Sequence, residues 1–341
     1  MRPVHRLPFP VCPIWSFFCM SFASVKALVD EDLREVDSVI RTRLASDVVL
    51  INQIAEYIVS GGGKRLRPLV VLVASRACGS SDGRHAEAAA IIEFIHTATL
   101  LHDDVVDGST LRRGRETANE VWGNEASVLV GDYVYSRSFE MMVALGSMRV
   151  MDVMAGATNK IAEGEVLQLL NAHDADTTQE RYFEVIYRKT AKLFESGAQI
   201  AAILAGAPAA IEGAMARYGR HLGTAFQLID DVLDYHSDSE RLGKNLGDDL
   251  AEGKPTLPLI YALRVGNEEQ RRVIRRSIEH GTSAELAAVT AAIESTGGLA
   301  YTARLARQEA ALAVEALAEL PESAYKQALR ELADFAVERN Y

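Results

Sequence analysis

The sequence predicts an all-α protein that folds as a single helical bundle. From Val25 onward apolar residues recur at intervals of three and four, and alternating strand-like runs are nearly absent. Apolar residues make up 48% of the 341 positions, enough to bury a substantial core. Neither an internal repeat nor a low-complexity tract divides the chain. One domain of about a dozen helices is therefore the simplest architecture.

Clusters of Gly, Pro and polar residues predict where the helices are interrupted. These breaks fall at residues 61–68, 79–83, 173–178, 205–209 and 237–258. Each break is short, so we interpret it as a loop and not as a linker between domains. The part from Gly266 onward is Ala-rich and amphipathic and contains no chemical cluster, and we interpret it as scaffold.

The N-terminal residues 1–22 are predicted to form an extension outside this domain. Residues 11–22 are apolar and aromatic and follow two arginines, as in a signal peptide, but three prolines interrupt the region. No run reaches the roughly 18 apolar residues that span a bilayer. We expect residues 1–22 to be disordered, residues 23–341 to form the domain, and Met20 to be the true start of translation.

Composition excludes some functions and indicates a compartment. The chain has 36 Lys and Arg against 47 Asp and Glu, a net charge of −11, so it is expected to repel nucleic acid. Its three cysteines, Cys12, Cys19 and Cys78, are widely spaced and odd in number. Such spacing fits neither a disulfide framework nor a zinc site, so we expect a reducing, cytoplasmic location.

An acidic cluster ends the apolar run at residues 98–107. On a helix Asp103 and Asp107 are one turn apart on the same face, with Asp104 beside them. Three carboxylates this close repel one another, and the apolar stretch before them would partly desolvate them. A hard divalent cation resolves this conflict, and Mg²⁺ suits a motif that offers two or three carboxylates and leaves room for phosphate oxygens.

A second cluster repeats the pattern at residues 227–235. Asp230 and Asp234 are one turn apart, with Asp231 between them. One DDxxD motif is more often a solvated helix end than a metal site. Two copies, each within apolar sequence, are hard to explain as surface decoration. Facing each other in a bundle, they would hold several Mg²⁺ ions around one diphosphate.

Basic residues complete the pattern. The segment GGGKRLRP at residues 61–68 is a glycine-rich turn followed by cations and a new helix, as an anion site requires, although it lacks the Walker A spacing. Arg112 and Arg113 follow the first acidic cluster by about one and a half helical turns, and guanidinium groups suit bidentate phosphate contacts. Lysines 189, 244 and 254 lie near the later helices. Taken singly, each is more often a solvated lysine.

Together these motifs resemble the trans-type polyprenyl diphosphate synthases. The resembling segments are GGGKRLRP, EFIHTATLLHDDVVDGSTLRRG, ASVLVGDYVYSRSFEMM, IAEGEVLQL, KTAKLFE, GTAFQLIDDVLDY and GKNLGDDLAEGKPTLP. Residues 51–258 are similar to the bacterial octaprenyl-forming members in particular. The resemblance covers nearly the whole chain after the extension. It implies a helical fold of the isoprenoid synthase type with a central cavity, Mg²⁺ as cofactor (two or three ions) and a homodimer.

The resemblance assigns a role to each matching position. The positions that match those holding isopentenyl diphosphate are Lys64, Arg67, His96 and Arg113. Those matching the surroundings of the allylic diphosphate are Arg112, Lys189, Thr190, Gln227 and Lys244, with Lys254 as a weaker match. Asp103, Asp107 and Asp230 match metal ligands, and Asp104, Asp231 and Asp234 match supporting positions.

The chemistry implied is chain elongation. Neutralising the allylic diphosphate makes it a better leaving group, and the double bond of isopentenyl diphosphate attacks the resulting cation. A proton is then lost to the departing diphosphate, so no protein nucleophile is required. His96 is interpreted as a hydrogen-bond donor to phosphate, with a buried structural histidine as the alternative. The expected product is an all-trans octaprenyl diphosphate built on farnesyl diphosphate and used for quinone side chains.

Helix geometry indicates where the growing tail would go. Residues one to two turns before Asp103 point down the cavity, and Ala98 and Thr99 there are small. In short-chain members of the family bulky aromatics close this place, so we expect an open tunnel. Phe139 and Met142, on the facing helix at residues 135–142, are candidates for its floor, although such residues are more often core. So apolar a product suggests transient membrane contact during release.

Three rival interpretations remain open at this stage. A non-catalytic subunit of a heteromeric prenyl synthase would be expected to lose an aspartate cluster or the basic loop, and both are complete here. A terpene cyclase or head-to-head synthase lacks the isopentenyl diphosphate site that GGGKRLRP and His96 indicate. The pair His102-Asp103 resembles an HD phosphohydrolase, which needs further spaced histidines that this chain does not offer.

Overall fold

Helices make up nearly all of the secondary structure. The structure, a computed structural model, describes residues 21–80, 82–112, 114–235 and 247–338. The first helices in these ranges are α1 Phe22–Leu28, α2 Asp30–Leu44, α3 Val49–Ser60, α4 Leu66–Ala77, α5 Arg84–Val106, α6 Ala118–Trp122, α7 Asn124–Ala144 and α8 Met148–Asn171. The remainder are α9 Gln179–Ile186, α10 Lys192–Leu204, α11 Ala209–Leu233, α12 Asp248–Ala251, α13 Leu257–Val265, α14 Glu268–His280, α15 Leu286–Thr296, α16 Gly298–Ala316 and α17 Ala324–Val337. A π-helical turn, Tyr187–Ala191, joins α9 to α10, and a short 3₁₀ turn, Leu317–Glu319, follows α16.

The all-α prediction is confirmed, with more helices than expected. Seventeen α-helices lie in the described ranges, against the dozen predicted. Apolar periodicity cannot separate two helices that meet at a single residue. Val29 separates α1 from α2, and Gly297, at a φ of 77°, separates α15 from α16.

The predicted breaks fall between helices. Residues 61–65 separate α3 from α4, residues 78–83 separate α4 from α5, and residues 172–178 separate α8 from α9. Pro68 lies in the first turn of α4, where its missing N–H is tolerated. Residues 236–246 of the last predicted break lie outside the described residues, and its remainder contains α12.

The helical domain begins earlier than predicted. Ser21 caps α1 by accepting a hydrogen bond from the Ser24 backbone N–H, and α1 begins at Phe22. The Phe22 ring stacks on Phe335 of α17 with centroids 4.1 Å apart. Ser21 and Phe22 therefore belong to the packed domain, and residues 1–20 lie outside the described residues.

Two long helices, α5 and α11, bring the acidic clusters into the bundle. Each is buried along most of its length and each packs against α10, so the two helices share a neighbour. The main hydrophobic cluster unites residues of α2, α4, α5, α7, α10, α11 and α17. Because each acidic cluster ends its helix, the packing places both clusters at one end of the bundle core.

The exception to the helical pattern follows the first acidic cluster directly. Two-residue strands, β1 Leu111–Arg112 and β2 Arg115–Glu116, pair antiparallel, with Arg112 opposite Arg115. Glycines at positive φ precede β1 and lie between the strands, Gly108 at 63° and Gly114 at 72°. We call residues 111–116 the hairpin. None of the helices in the described part of the chain has both the length and the apolarity to cross a bilayer.

Candidate active site

The three aspartates of the first cluster have different partners. Asp103 and Asp104 lie in the last turn of α5, and Asp107 caps it, its N–H donating to the Asp103 carbonyl at 2.8 Å. Asp104 is 4% exposed and accepts two hydrogen bonds from Arg112, from Nε at 2.8 Å and from Nη2 at 2.5 Å. Asp103 instead lies 3.4 Å from the ammonium of Lys189. Asp104 therefore anchors the hairpin, while Asp103 is directed toward Lys189.

Arg112 lies in the hairpin, so the helical spacing predicted for it is wrong. The sequence placed Arg112 one and a half helical turns beyond the cluster, but α5 ends at Val106 and the chain reverses at Gly108. This reversal brings the Arg112 guanidinium back onto Asp104. Arg113, the neighbouring candidate, lies outside the described residues.

The second cluster is held by neutral donors. Asp230 and Asp231 lie in the last turn of α11, and Asp234 caps it. Asp231 is 1% exposed and accepts hydrogen bonds from the Tyr182 hydroxyl and from Gln227 Nε2 at 2.8 Å. Burial, together with the charge of Asp249, raises the pKa of Asp231 to about 8. Tyr182 was missed by sequence reasoning, because nothing in the pattern of α9 distinguishes it from a core aromatic residue.

The π-helical turn connects the two clusters. Lys189 Nζ lies 2.6 Å from Glu165 and 3.4 Å from Asp103 of the first cluster. The next residue, Thr190, donates to Gln227 Oε1 at 2.9 Å, and Gln227 in turn donates to Asp231 of the second cluster. Two consecutive residues of the turn therefore link Asp103 of the first cluster to Asp231 of the second. A π turn is a common feature of functional sites, because its extra residue redirects side chains.

Glycines allow this turn to approach its neighbours closely. A Cβ on Gly164 of α8 would lie 2.7 Å from the backbone nitrogen of Lys189, and one on Gly223 of α11 would lie 2.6 Å from the Ala191 Cα. Real Cβ atoms do not approach other atoms so closely. The π-helical turn thus packs closely against both α8 and α11, and any side chain at either glycine would displace Lys189 or Thr190.

Lys254 closes the cavity from the loop between α12 and α13. Its ammonium lies 2.9 Å from Asp107 Oδ2 and pairs with Glu252. The cavity it closes is also lined by Gln227, Asp231, Asp249 and Tyr182. Burial alone would lower the pKa of Lys254, but the charges of Asp249, Asp107 and Glu252 outweigh it and raise the pKa. Lys254, the weaker match among the residues predicted near the allylic diphosphate, therefore makes a specific contact with Asp107 of the first cluster.

Among the described residues, the site holds more carboxylates than cations. Burial raises the pKa of Asp103, and the nearby Asp107 adds to the rise. Burial likewise raises the pKa of Glu165 to about 7 and that of Glu252 to about 7. Glu165 and Glu252 were both missed by sequence reasoning, since a single glutamate in a helix or loop carries no recognisable pattern. Such a concentration of carboxylate oxygens fits a hard divalent cation such as Mg²⁺.

A separate carboxylate and histidine cluster does not offer a comparable cation site. Asp32, Glu35 and His85 have ligand atoms within 4.8 Å of one another. However, Arg76 donates to Asp32 from Nε at 3.0 Å and from Nη2 at 2.5 Å, and His85 Nε2 lies 2.9 Å from the same carboxylate. The guanidinium already supplies the positive charge, so we interpret this cluster as a structural network.

The basic loop, residues 61–67, brings two of the residues predicted to bind isopentenyl diphosphate together, Arg67 and His96. Arg67 Nη1 lies 3.1 Å from His96 Nε2, and the guanidinium also lies 4.8 Å from the centre of the Phe194 ring. His96 precedes Asp103 by seven residues, two turns of α5, so it lies on the same face of the helix. Lys64 extends instead toward α17, where its ammonium lies 5.2 Å from the Phe335 ring centre. Lys244 lies outside the described residues.

The residues proposed for the tail tunnel pack in the core. Ala98 and Met142 are buried, and Phe139 packs partly buried against the main cluster. The Thr99 hydroxyl donates to the His96 carbonyl at 2.8 Å, so it is satisfied within its own helix. Packing alone does not distinguish a tunnel floor from core, and these assignments stay predictions.

The position of His102 argues against the HD phosphohydrolase interpretation. His102 is turned toward α7, where its Nε2 lies 3.2 Å from Asp132 and 3.3 Å from the Val128 carbonyl. A Cβ on Gly131 would lie only 2.4 Å from the same ring, so α7 is fitted around it. His102 therefore packs against a neighbouring helix, whereas Asp103 contacts Lys189.

Comparison with known proteins agrees with this geometry. The family model described as Polyprenyl synthetase matches residues 48–295. The chain is 53% identical over 322 residues to the octaprenyl diphosphate synthase of Escherichia coli (strain K12), covering 94% of this chain and 100% of the relative. It is 48% identical to the all-trans-nonaprenyl-diphosphate synthase (geranyl-diphosphate specific) of Rhodobacter capsulatus, covering 92% and 97%.

A solved structure extends the agreement to the whole fold. The polyprenyl synthase from Caulobacter crescentus CB15, complexed with calcium and isoprenyl diphosphate, superposes with a TM-score of 0.91 at 44% identity, covering 94% of this chain and 98% of that chain. The expected isoprenoid synthase fold is thus confirmed, and an interpretation as a non-catalytic subunit is not favoured. With both acidic clusters linked through the π-helical turn and relatives matching along nearly its whole length, the chain belongs to the polyprenyl synthetase family of prenyltransferases.

Proposed function

We propose that this chain adds isopentenyl diphosphate units repeatedly to an allylic diphosphate and releases a long-chain all-trans-polyprenyl diphosphate. The observation that carries the proposal is the link between the two acidic clusters, which Lys189 and Thr190 reach from adjacent positions. The names of the relatives, octaprenyl and nonaprenyl diphosphate synthases, support the same reaction class.

Divalent cations would be held by the carboxylates that face the cavity. We assign Asp103, Asp107 and Asp230 as ligands of two or three Mg²⁺ ions, with Asp104, Asp231 and Asp234 supporting them through their own contacts. When bound, Mg²⁺ neutralises the diphosphate of the allylic substrate and favours its departure. The Caulobacter relative, whose structure contains calcium and isoprenyl diphosphate, supports this pairing of a divalent cation with a diphosphate.

The basic side chains would bind and orient the two substrates. Gln227 and Lys254 line the cavity, and with Lys189, Thr190, Arg112 and Lys244 they form the proposed allylic diphosphate site. Lys64, Arg67, His96 and Arg113 form the proposed isopentenyl diphosphate site. The pair of Arg67 and His96, 3.1 Å apart, offers a guanidinium and an imidazole from one position, which suits a doubly charged anion.

The reaction needs positioning more than protein chemistry. The allylic carbon–oxygen bond breaks, the double bond of isopentenyl diphosphate forms the new carbon–carbon bond, and the departing diphosphate accepts the proton that is lost. Lys189 and Arg112 stabilise negative charge on the leaving group, and the apolar walls of α5 and α7 keep water from the cation. No side chain is required as a nucleophile.

Product length is the finer part of the proposal. Small residues at Ala98 and Thr99 leave the path along α5 open, and Phe139 with Met142 would form its floor. We propose an octaprenyl product built on farnesyl diphosphate and destined for quinone side chains, as the name of the Escherichia coli relative suggests. The Rhodobacter relative is named for a nonaprenyl product, so product mass is the deciding measurement.

A homodimer and a membrane contact complete the proposal. Large apolar side chains are exposed on α7, at the start of α8 and near its end. They are Leu129, Val143, Met148, Val166, Leu169 and Leu170. A second copy of the chain covering this face would remove these side chains from water, which is the driving force for association. Release of so apolar a product is proposed to occur against a bilayer.

Incubation of the purified chain with Mg²⁺, farnesyl diphosphate and labelled isopentenyl diphosphate tests the function. We expect elongated diphosphates whose mass, after dephosphorylation, corresponds to eight isoprene units. A hydrocarbon product would indicate a cyclase or head-to-head synthase instead. An absence of any product would indicate a non-catalytic subunit.

A further inference from the structure

The basic loop and the hairpin are joined by side chains outside the predicted site. Tyr57, in the last turn of α3 just before the loop, donates its hydroxyl to the Glu116 carbonyl of β2 at 2.8 Å. The Arg115 guanidinium lies 4.2 Å from the centre of the Tyr57 ring, within cation–π range. Arg115 Nη1 also lies 3.4 Å from the Ser60 hydroxyl. We call Tyr57 and Arg115 the clasp.

The clasp is supported on its far side. The Trp122 ring of α6 meets the Tyr57 ring edge to face, with centroids 5.0 Å apart and planes at 79°. The Tyr57 ring is thus fixed between the Trp122 ring and the Arg115 guanidinium. Its hydroxyl bonds to backbone and not to a side chain, so the bond reports the position of the β2 strand itself.

The clasp connects the base of the basic loop to the hairpin. On one side, α3 ends at Ser60 and the chain enters the basic loop with Lys64 and Arg67. On the other side, the hairpin carries Arg112, which is already tied to Asp104 by two hydrogen bonds. The loop contains Gly62 and Gly63 at positive φ, so its own backbone gives little rigidity. The clasp therefore fixes the base of this loop against the hairpin.

We propose that Tyr57 and Arg115 are positioning residues for isopentenyl diphosphate, because their contact sets the separation between the basic loop and the hairpin. This inference rests on the proposed function, in which Lys64 and Arg67 of the basic loop contribute to that substrate's site. Neither residue would touch the substrate. The allylic site would be insulated from the clasp, because the bonds from Arg112 to Asp104 hold that side independently.

Kinetics of Tyr57→Phe, Tyr57→Leu and Arg115→Met test the proposal. Tyr57→Phe removes only the bond to β2, while Tyr57→Leu and Arg115→Met remove the ring contact. We expect KM for isopentenyl diphosphate to rise about 3- to 10-fold, as loss of about 1 kcal/mol in positioning would give. The kcat and the KM for the allylic substrate should stay within about twofold, since the chemistry and the allylic site are unchanged.

A double variant separates positioning from direct contact. If the two residues act through one contact, Tyr57→Leu with Arg115→Met should be no worse than the more damaging single change. Arg115→Lys should recover most of the KM, because an ammonium can also lie over the ring. If Arg115 instead bound the diphosphate itself, the two effects would multiply, and the proposal would be overturned. Arg304→Met, which removes a similar exposed contact over Tyr301 in α16, is the matched control and should leave every constant unchanged.

A measurement without catalysis keeps the inference independent of the activity. Hydrogen–deuterium exchange of the free chain should be faster in residues 61–65 of Tyr57→Leu, whereas the hairpin, which Arg112 still ties to Asp104, should change less. Unchanged exchange in residues 61–65 would refute the coupling. Should the wild-type chain make no elongated product, the proposed function fails, while this exchange result still decides whether the clasp exists.

Discussion

The two acidic clusters have nearly the same sequence, DDVVD and DDVLD, but they hold their middle aspartates in different ways. Asp104 of the first cluster is paired with a guanidinium, which the hairpin returns to it. Asp231 of the second cluster is buried against the hydroxyl of Tyr182 and the amide of Gln227, neither of which is charged. A repeated motif therefore does not imply a repeated environment. The first cluster is built around an ion pair and the second around neutral hydrogen bonds.

The largest effect is expected where the two clusters act alike. Asp103→Asn and Asp230→Asn each remove a proposed metal ligand, so each should lower kcat for condensation by about 100- to 1,000-fold. Steady-state kinetics at saturating Mg²⁺ would measure this. Asp132→Asn, which alters the exposed partner of His102, is the control and should remain active. If one of the two ligand variants retained wild-type kcat, that cluster would not share in metal binding.

Stability should distinguish the ion pair from the neutral bonds. Arg112→Gln leaves the Asp104 charge buried without its partner, so we expect the free energy of unfolding to fall by about 2–3 kcal/mol, since the pair is only partly buried. Tyr182→Phe removes one neutral hydrogen bond and should cost about 1 kcal/mol. Urea unfolding would give both values. Arg34→Gln, which breaks the exposed pair with Asp30, should change stability by less than about 0.5 kcal/mol. Equal losses from the first two variants would remove the distinction between the clusters.

The neutral surroundings of Asp231 also predict a dependence on pH. Its folded pKa of about 8 lies above its ordinary value of 3.8, so between these values the folded chain binds more protons than the unfolded chain. The free energy of unfolding without metal should therefore fall as pH rises from 5 to 8, by roughly 1.4 kcal/mol per pH unit for each extra proton. Glu165 and Glu252, with pKa values of about 7, act in the same direction.

Urea unfolding in EDTA at several pH values would measure this slope. Asp231→Asn should flatten it, and added Mg²⁺ should stabilise the wild type more at pH 8 than at pH 5.5. A free energy of unfolding that rose with pH in the absence of metal would contradict the raised pKa values of these buried carboxylates.

The smallest change concerns product size, and the two clusters supply matched positions for it. Ala98 and Ala225 each lie five residues before the first aspartate of their cluster, and both are fully buried. Ala98→Phe should shorten the product, because it narrows the proposed path along α5, whereas Ala225→Phe should not. Each replacement overpacks the core by roughly 1–3 kcal/mol, so Ala98→Leu and Ala225→Leu provide a gentler pair. Chromatography of dephosphorylated products would compare them. An unchanged length in both Ala98 variants would refute the tunnel assignment.

Sequence reasoning found the groups whose pattern is local. The aspartate clusters are recognisable because their spacing places carboxylates on one helical face, and Lys189 and Thr190 were found through the family resemblance. Glu165 and Tyr182 were missed, because each acquires its role from a partner on another helix, 24 residues away at Lys189 and 49 residues away at Asp231. The hairpin was missed for a similar reason, since strands of two residues carry no periodicity and depend on Gly108 and Gly114 for their reversal.

The π turn between α9 and α10 fixes the length of this segment as well as its direction. A π turn has one residue more than the α turn it replaces, so side chains after it are out of phase with those before it. Deleting a single residue here would restore a continuous α-helix and rotate α10 by about 100° relative to α9. Tyr182 and Thr190, which both lead to Asp231, could then no longer face α11 at the same time. The segment should therefore tolerate exchanges of side chain far better than any change in the number of its residues.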